Sequence, residues 1–77
     1  MAGAPFVQGT HSIRLNGETR SVPTGCTLAD LLRDLGIDPR MIVVERNRQI
    51  LRDRNAFDEV TLEDSDVLEL VHFVGGG

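Results

Sequence analysis

A chain of 77 residues that is 40% hydrophobic and 26% charged, with a net charge of −4, has the composition of one small globular domain and no room for a deep, water-excluded active site. The acidic balance and only three aromatic residues, Phe6, Phe57 and Phe73, speak against nucleic-acid binding, and no stretch approaches the ~20 apolar residues of a membrane helix. All eight basic residues are arginine, which excludes modification through a lysine of this chain, and the single cysteine, Cys26, excludes a disulfide framework or a cysteine zinc site and fits a reducing, cytoplasmic setting.

Residues 1–10 carry glycines, a proline and no periodicity, so they read as a flexible leader. They lack the basic start and continuous apolar core of a secretory signal. Ile13-Arg14-Leu15 alternates and meets Asn16-Gly17, a dipeptide that tolerates positive φ and favours a tight hairpin turn. A return strand, Thr19 to Val22, follows, and Pro23-Thr24-Gly25 breaks it. Thr27 and Asp30 have the spacing of a capping box, and Leu28, Leu31, Leu32 and Leu35 recur at helical intervals. With Gly36 placed to end it, this predicts one amphipathic helix of about two and a half turns.

After Asp38-Pro39, the β-branched run Met41 to Glu45 predicts a strand inside a sheet. Asn47-Arg48 turns the chain into a short apolar piece, Gln49-Ile50-Leu51. Arg52 to Glu59 reads as a polar connection containing Phe57, Val60-Thr61-Leu62 as a brief strand or turn, and Asp64-Ser65-Asp66 as a tight corner before a last strand, Val67 to Val74. A single four-leucine helix stripe can be buried only against one sheet face. The order of elements therefore predicts an α+β domain of the β-grasp type over residues 11–74, with a mixed four- to five-stranded sheet. In that arrangement the last strand lies in the sheet interior beside the first, and residues 75–77 form a flexible tail.

The tail is Gly75-Gly76-Gly77. A terminal carboxylate has a pKa of about 3.3–3.7; at neutral pH it is anionic and a poor electrophile until a nucleotide activates it. Glycine admits close approach of another backbone, and three extended residues reach roughly 10 Å, so such a tail can thread a narrow channel. The same residues also suit a frayed chain end.

From the Asn16-Gly17 hairpin through Thr27-Leu28-Ala29-Asp30-Leu31-Leu32 to the end, the chain resembles the small sulfur carriers of the ubiquitin-like superfamily. Val43 to Leu51 and Leu68 to Gly77 resemble more narrowly the ThiS family, which donates sulfur to the thiazole of thiamine. The resemblance implies that Gly77 is adenylated by an ATP-dependent activating enzyme of the ThiF type. A sulfur donor such as a cysteine desulfurase would then convert it to a thiocarboxylate. Gly75 and Gly76 would be the slender part that enters this enzyme and later a thiazole synthase of the ThiG type. The chain itself would be a co-substrate without catalytic residues or a bound cofactor. The tail alone leaves open a related carrier, for molybdopterin synthase or tRNA thiolation, and also a protein modifier or plain interaction module. Three features depart from the family pattern: Ser65-Asp66 where Gly-Asp is usual, Arg52 where proline is frequent, and a leader before His11.

Alternation along the last strand places Glu69, Val71 and Phe73 on the face opposite the helix. Exposed apolar surface of this kind marks a partner site, which Val43 of the neighbouring strand would join; scattered surface hydrophobes, or a contact with the leader, are the alternative. Cys26 sits where a helix dipole could activate a thiol, but a small inert residue at the helix entrance suits it better. His72 has no partner in the sequence, since His11 lies at the edge of the leader. Arg40, Arg46, Arg48, Arg52 and Arg54 suggest a phosphate patch, yet no Gly-rich phosphate loop accompanies them, so ATP must be bound by the partner. Against these arginines stands an acidic stretch, Asp58 to Glu69, and the resulting dipole either steers docking or is an ordinary solvated face.

Overall fold

Alternating residues become strands in the computed structural model, which describes residues 9–73. Strands β1 (Thr10–Leu15) and β2 (Glu18–Pro23) pair antiparallel about Asn16 and Gly17, whose φ angles of 49° and 85° are those a two-residue hairpin turn needs. Strand β1 starts at Thr10, so the sheet takes up the last residue assigned to the leader. His11, placed by the sequence at the edge of a disordered segment, is a strand residue opposite Val22.

The helix α1 spans Leu28–Leu35. The Thr27 hydroxyl accepts from the Asp30 N–H at 3.1 Å, and the Asp30 carboxylate accepts from the Thr27 N–H at 3.1 Å, so two backbone donors at the helix start are satisfied reciprocally. Gly36 ends the helix at φ 72°. A short 3-10 turn, Pro39–Met41, leads into β3 (Ile42–Arg46), and the Asn47-Arg48 turn leads into β4 (Gln49–Leu51). Residues 54–59, expected as part of a polar connection, form a second 3-10 helix, Arg54–Glu59, capped by the Asp53 side chain. The reason is Phe57, which is 3% exposed and draws this segment against the core. Strand β5 is Val67–His72.

The sheet order is β2-β1-β5-β3-β4, with β5 parallel to β1 and antiparallel to β3. This is the predicted α+β arrangement, with five strands and the last one in the centre. Leu28, Leu31 and Leu32 of α1 pack over Ile13, Val22, Ile42, Val44, Leu68 and Leu70, while Phe57 and Leu62 complete the core. Burying each such side chain is worth about 1.5–3 kcal/mol. The helix covers one face of the sheet and leaves the other to solvent. No helix among the described residues is long and apolar enough to cross a membrane.

Candidate functional site: the last strand and the outer sheet face

Two turn asparagines fix β5 in place. The Asn16 side-chain carbonyl accepts from the Leu70 N–H at 2.7 Å, and its amide donates to the Leu70 carbonyl at 3.4 Å, extending the β1–β5 ladder beyond the end of β1. On the other side the Asn47 side chain accepts from the Val67 N–H at 2.9 Å, while its backbone N–H donates to the Val67 carbonyl at 2.8 Å. The sequence shows both residues only as turn formers; their second use depends on β5 arriving between the two hairpins.

The start of β5 is held by Asp66, a buried carboxylate. It accepts from the Glu63 N–H at 2.8 Å, from Asn47 Nδ2 at 2.9 Å and from Arg46 Nε at 3.0 Å. Burial pushes the Asp66 pKa up, but the hydrogen bonds from Glu63, Asn47 and Arg46 outweigh it and hold the carboxyl below its ordinary value. In the same corner Ser65 takes φ 72°, the left-handed conformation that glycine adopts at least cost, and its N–H donates to the Ser12 carbonyl at 2.7 Å.

At the other end of β5, the Phe73 N–H donates to the Met41 carbonyl at 2.9 Å. Arg54 donates to the carbonyls of Pro39 and Ile42, each at 3.0 Å, and its guanidinium carbon lies 5.8 Å from the centre of the Phe73 ring. That is cation–π distance. Three of the five clustered arginines are thus committed locally: Arg46 to Asp66 and the Thr61 carbonyl, Arg54 to the base of β3, and Arg40 to Asp38.

On the face away from α1, Val43 and Val71 stand directly opposite each other in β3 and β5. Val71 is 60% exposed, Phe73 47%, Ile50 48% and Val67 41%, while Val43 is half-buried. The structure therefore brings Val43, Val71 and Phe73 to one side and one end of the sheet, next to the point where the chain continues toward the tail. Gly75, Gly76 and Gly77 lie outside the described residues. Cys26 is half-buried, and its Sγ is 3.4 Å from the Thr27 carbonyl. Burial first, then the Asp30 and Asp34 carboxylates, raise its pKa, so the thiolate is disfavoured. His72 sits at the exposed end of β5, opposite Ile42. No group of three or more metal-ligating side chains occurs among the described residues.

The model of the ThiS family matches residues 13–77. The chain is 45% identical over 51 residues to sulfur carrier protein ThiS of Bacillus subtilis, a match covering 66% of this chain and 76% of that protein. It is 43% identical over 65 residues to a thiazole synthase of Magnetococcus marinus, which covers 84% of this chain but 20% of the relative. The chain spans about a fifth of the length of the thiazole synthases it matches. The crystal structure of thiamine biosynthesis protein ThiS from Geobacter metallireducens superposes with a TM-score of 0.72 at 30% identity, covering 86% of this chain and 99% of that one.

Proposed function

The chain belongs to the ThiS family, and on that premise we propose that it carries activated sulfur for thiazole formation in thiamine synthesis, with Gly77 as the residue that is loaded. The Gly77 carboxylate attacks ATP in a ThiF-type activating enzyme, giving an acyl adenylate and pyrophosphate. A persulfide from a donor such as a cysteine desulfurase displaces AMP to give an acyl disulfide, and a second thiol cleaves its S–S bond, taking up the outer sulfur as a disulfide and leaving a thiocarboxylate, which a ThiG-type thiazole synthase consumes. Gly75 and Gly76 thread the channels of these enzymes, and Val43, Val71 and Phe73 dock on them. The chain is a co-substrate: the enzymes bind the ATP and perform the bond changes, in the cytoplasm.

The observation that carries this reading is the family match running through residue 77 on a chain whose central, doubly anchored strand ends at His72, with two residues between it and the three glycines of the sequence. The thiazole synthase relatives favour the thiamine pathway over the molybdopterin and tRNA alternatives, because a region similar to this chain forms part of them. The test is intact-mass analysis after incubation with ATP, the activating enzyme and a cysteine-derived sulfur source. The expected result is a mass increase equal to exchange of one oxygen for sulfur, mapped to Gly77. An unchanged mass under conditions where a known family member is loaded would refute the proposal.

A further inference from the structure

Where β4 stops, a side chain takes over its pairing. Hydrogen bonding alternates between neighbouring positions of an antiparallel pair. The Phe73 N–H bond to the Met41 carbonyl makes residues 41 and 73 a bonded pair, so at the next position Ile42, opposite His72, turns its carbonyl away from β5. On that flank β4 would supply the partner, but it ends at Leu51, opposite Val44. Arg54, the first residue of the second 3-10 helix, fills the gap. Its Nη2 donates to the Ile42 carbonyl and its Nε to the Pro39 carbonyl, each at 3.0 Å.

The same guanidinium lies over the Phe73 ring, 5.8 Å from its centre. Phe73 is 47% exposed and stands one residue past the end of β5, where a single backbone bond leaves a chain prone to fray. That bond is made to Met41, the last residue of the 3-10 turn Pro39–Met41. Arg54 therefore holds the root of the tail twice, by the ring of Phe73 and by the residues on either side of its backbone partner. A guanidinium can do this because its planar fork bonds two carbonyls while its face stacks on a ring; an ammonium cannot.

We propose that Arg54 is a positioning residue for loading of the tail: by clamping Phe73 it fixes where the chain leaves the sheet, and so how far Gly77 reaches into the activating enzyme. This rests on the carrier reading above. Four residues follow Phe73. Releasing Phe73 from Met41 lengthens the segment beyond the last sheet bond by one residue, about 3.5 Å, whereas a displacement of about 1 Å between reacting groups can cost about 100-fold in rate.

The test is ATP–pyrophosphate exchange by a ThiF-type enzyme with the full chain, at a temperature where melts show every variant folded. Wild type is compared with Arg54→Gln, Arg54→Lys, Phe73→Leu and the double variant Arg54→Gln/Phe73→Leu. Arg40→Gln, which removes an exposed cation paired with Asp38, is the charge control. In both Arg54 variants kcat should fall about tenfold with KM for the carrier within about twofold of wild type, since the docking face is untouched. The Phe73 amide hydrogen should exchange several-fold faster in the same variants. Phe73→Leu keeps the carbonyl bonds of Arg54 but removes the ring, and should share the fall in kcat; the double variant should be no slower than the slower single one. Arg40→Gln should match wild type. A raised KM with unchanged kcat, or full rescue by Arg54→Lys, would make Arg54 a docking cation and overturn the proposal. Unaltered exchange at Phe73, or multiplicative losses in the double variant, would overturn it too. Absence of exchange activity with the wild-type chain, where a known family member is active, would overturn the carrier reading and this proposal with it.

Discussion

Replacing Asp66 by alanine tests whether the corner before β5 anchors the strand. The carboxylate is 5% exposed and receives the Glu63 N–H, Asn47 Nδ2 and Arg46 Nε at 2.8–3.0 Å. When it is removed, Arg46 keeps its bond to the Thr61 carbonyl and the Asn47 side-chain carbonyl still accepts from the Val67 N–H, while the Glu63 N–H and Asn47 Nδ2 lose their acceptor and the partly buried guanidinium loses its counter-charge. Hydrogen bonds to a charged group are worth about 1.5–3 kcal/mol, and removing one partner of a buried pair costs about 3–5 kcal/mol. With Arg46 still able to reach water, about 3 kcal/mol is expected. A domain of this size has only about 4–12 kcal/mol in total. At a urea m-value of about 1 kcal/mol/M, the unfolding midpoint should fall by about 3 M. Asp64→Ala is the control: that side chain is 62% exposed, and losing its bond from the Ser12 N–H should cost about 0.5–1 kcal/mol. The pH dependence gives an independent reading. Since the folded Asp66 pKa is depressed, its contribution is complete above the unfolded value of about 4 and is lost as pH falls through the lower folded value. Asp38, held at about 2 mainly by its hydrogen bonds from Arg40, is solvent-exposed and adds little to this slope. Asp66→Asn should therefore flatten the acid limb of stability against pH. A midpoint drop under about 0.5 M for Asp66→Ala, with the acid limb unchanged in Asp66→Asn, would refute the reasoning.

Ser65→Gly should stabilise the domain by about 1 kcal/mol, because it removes the left-handed penalty at φ 72° and keeps the N–H bond to Ser12. In a melt this appears as a rise of about 4–8 °C, and a fall would contradict it. Asn16→Gly retains the positive φ of the hairpin while deleting the bonds to Leu70. It should cost about 1–2 kcal/mol and speed exchange of the Leu70 amide hydrogen, whereas unchanged protection would deny the clamp. Cys26, its thiol pKa raised by burial and then by Asp30 and Asp34, should react with iodoacetamide more slowly than free cysteine at pH 8. Cys26→Ser should be loaded with sulfur at Gly77 like wild type, and loss of loading would assign the thiol a role.

Local signals made the helix readable: Thr27, Asp30 and Gly36 act within one turn of the residues they cap, so their chemistry is the same in sequence and structure. The Asn16-Gly17 hairpin was legible for the same reason. The 3-10 helix at Arg54–Glu59 was not, because one buried aromatic in a polar stretch leaves no helical period to detect. Asp66 looked like a member of an acidic run, and only the folding of the corner onto β3 separates it from its neighbours. The arginines carry no phosphate loop in the sequence, but their separate partners, which Arg40, Arg46 and Arg54 each find close at hand, are visible only in the fold. On the outer face, alternation sufficed to place Val71 and Phe73. The facing of Glu45 and Glu69 required the β3–β5 register, which depends on two distant turns and is not written in either strand.

The central place of β5 also has a mechanical consequence. An enzyme that grips residues beyond Phe73 and draws on them pulls along the strand axis, with hydrogen-bonded neighbours on both flanks. The load is then borne in shear by many bonds together, where an edge strand would be peeled away one bond at a time. A domain built this way resists a pull on its C-terminal strand better than one whose last strand lies at the edge of the sheet.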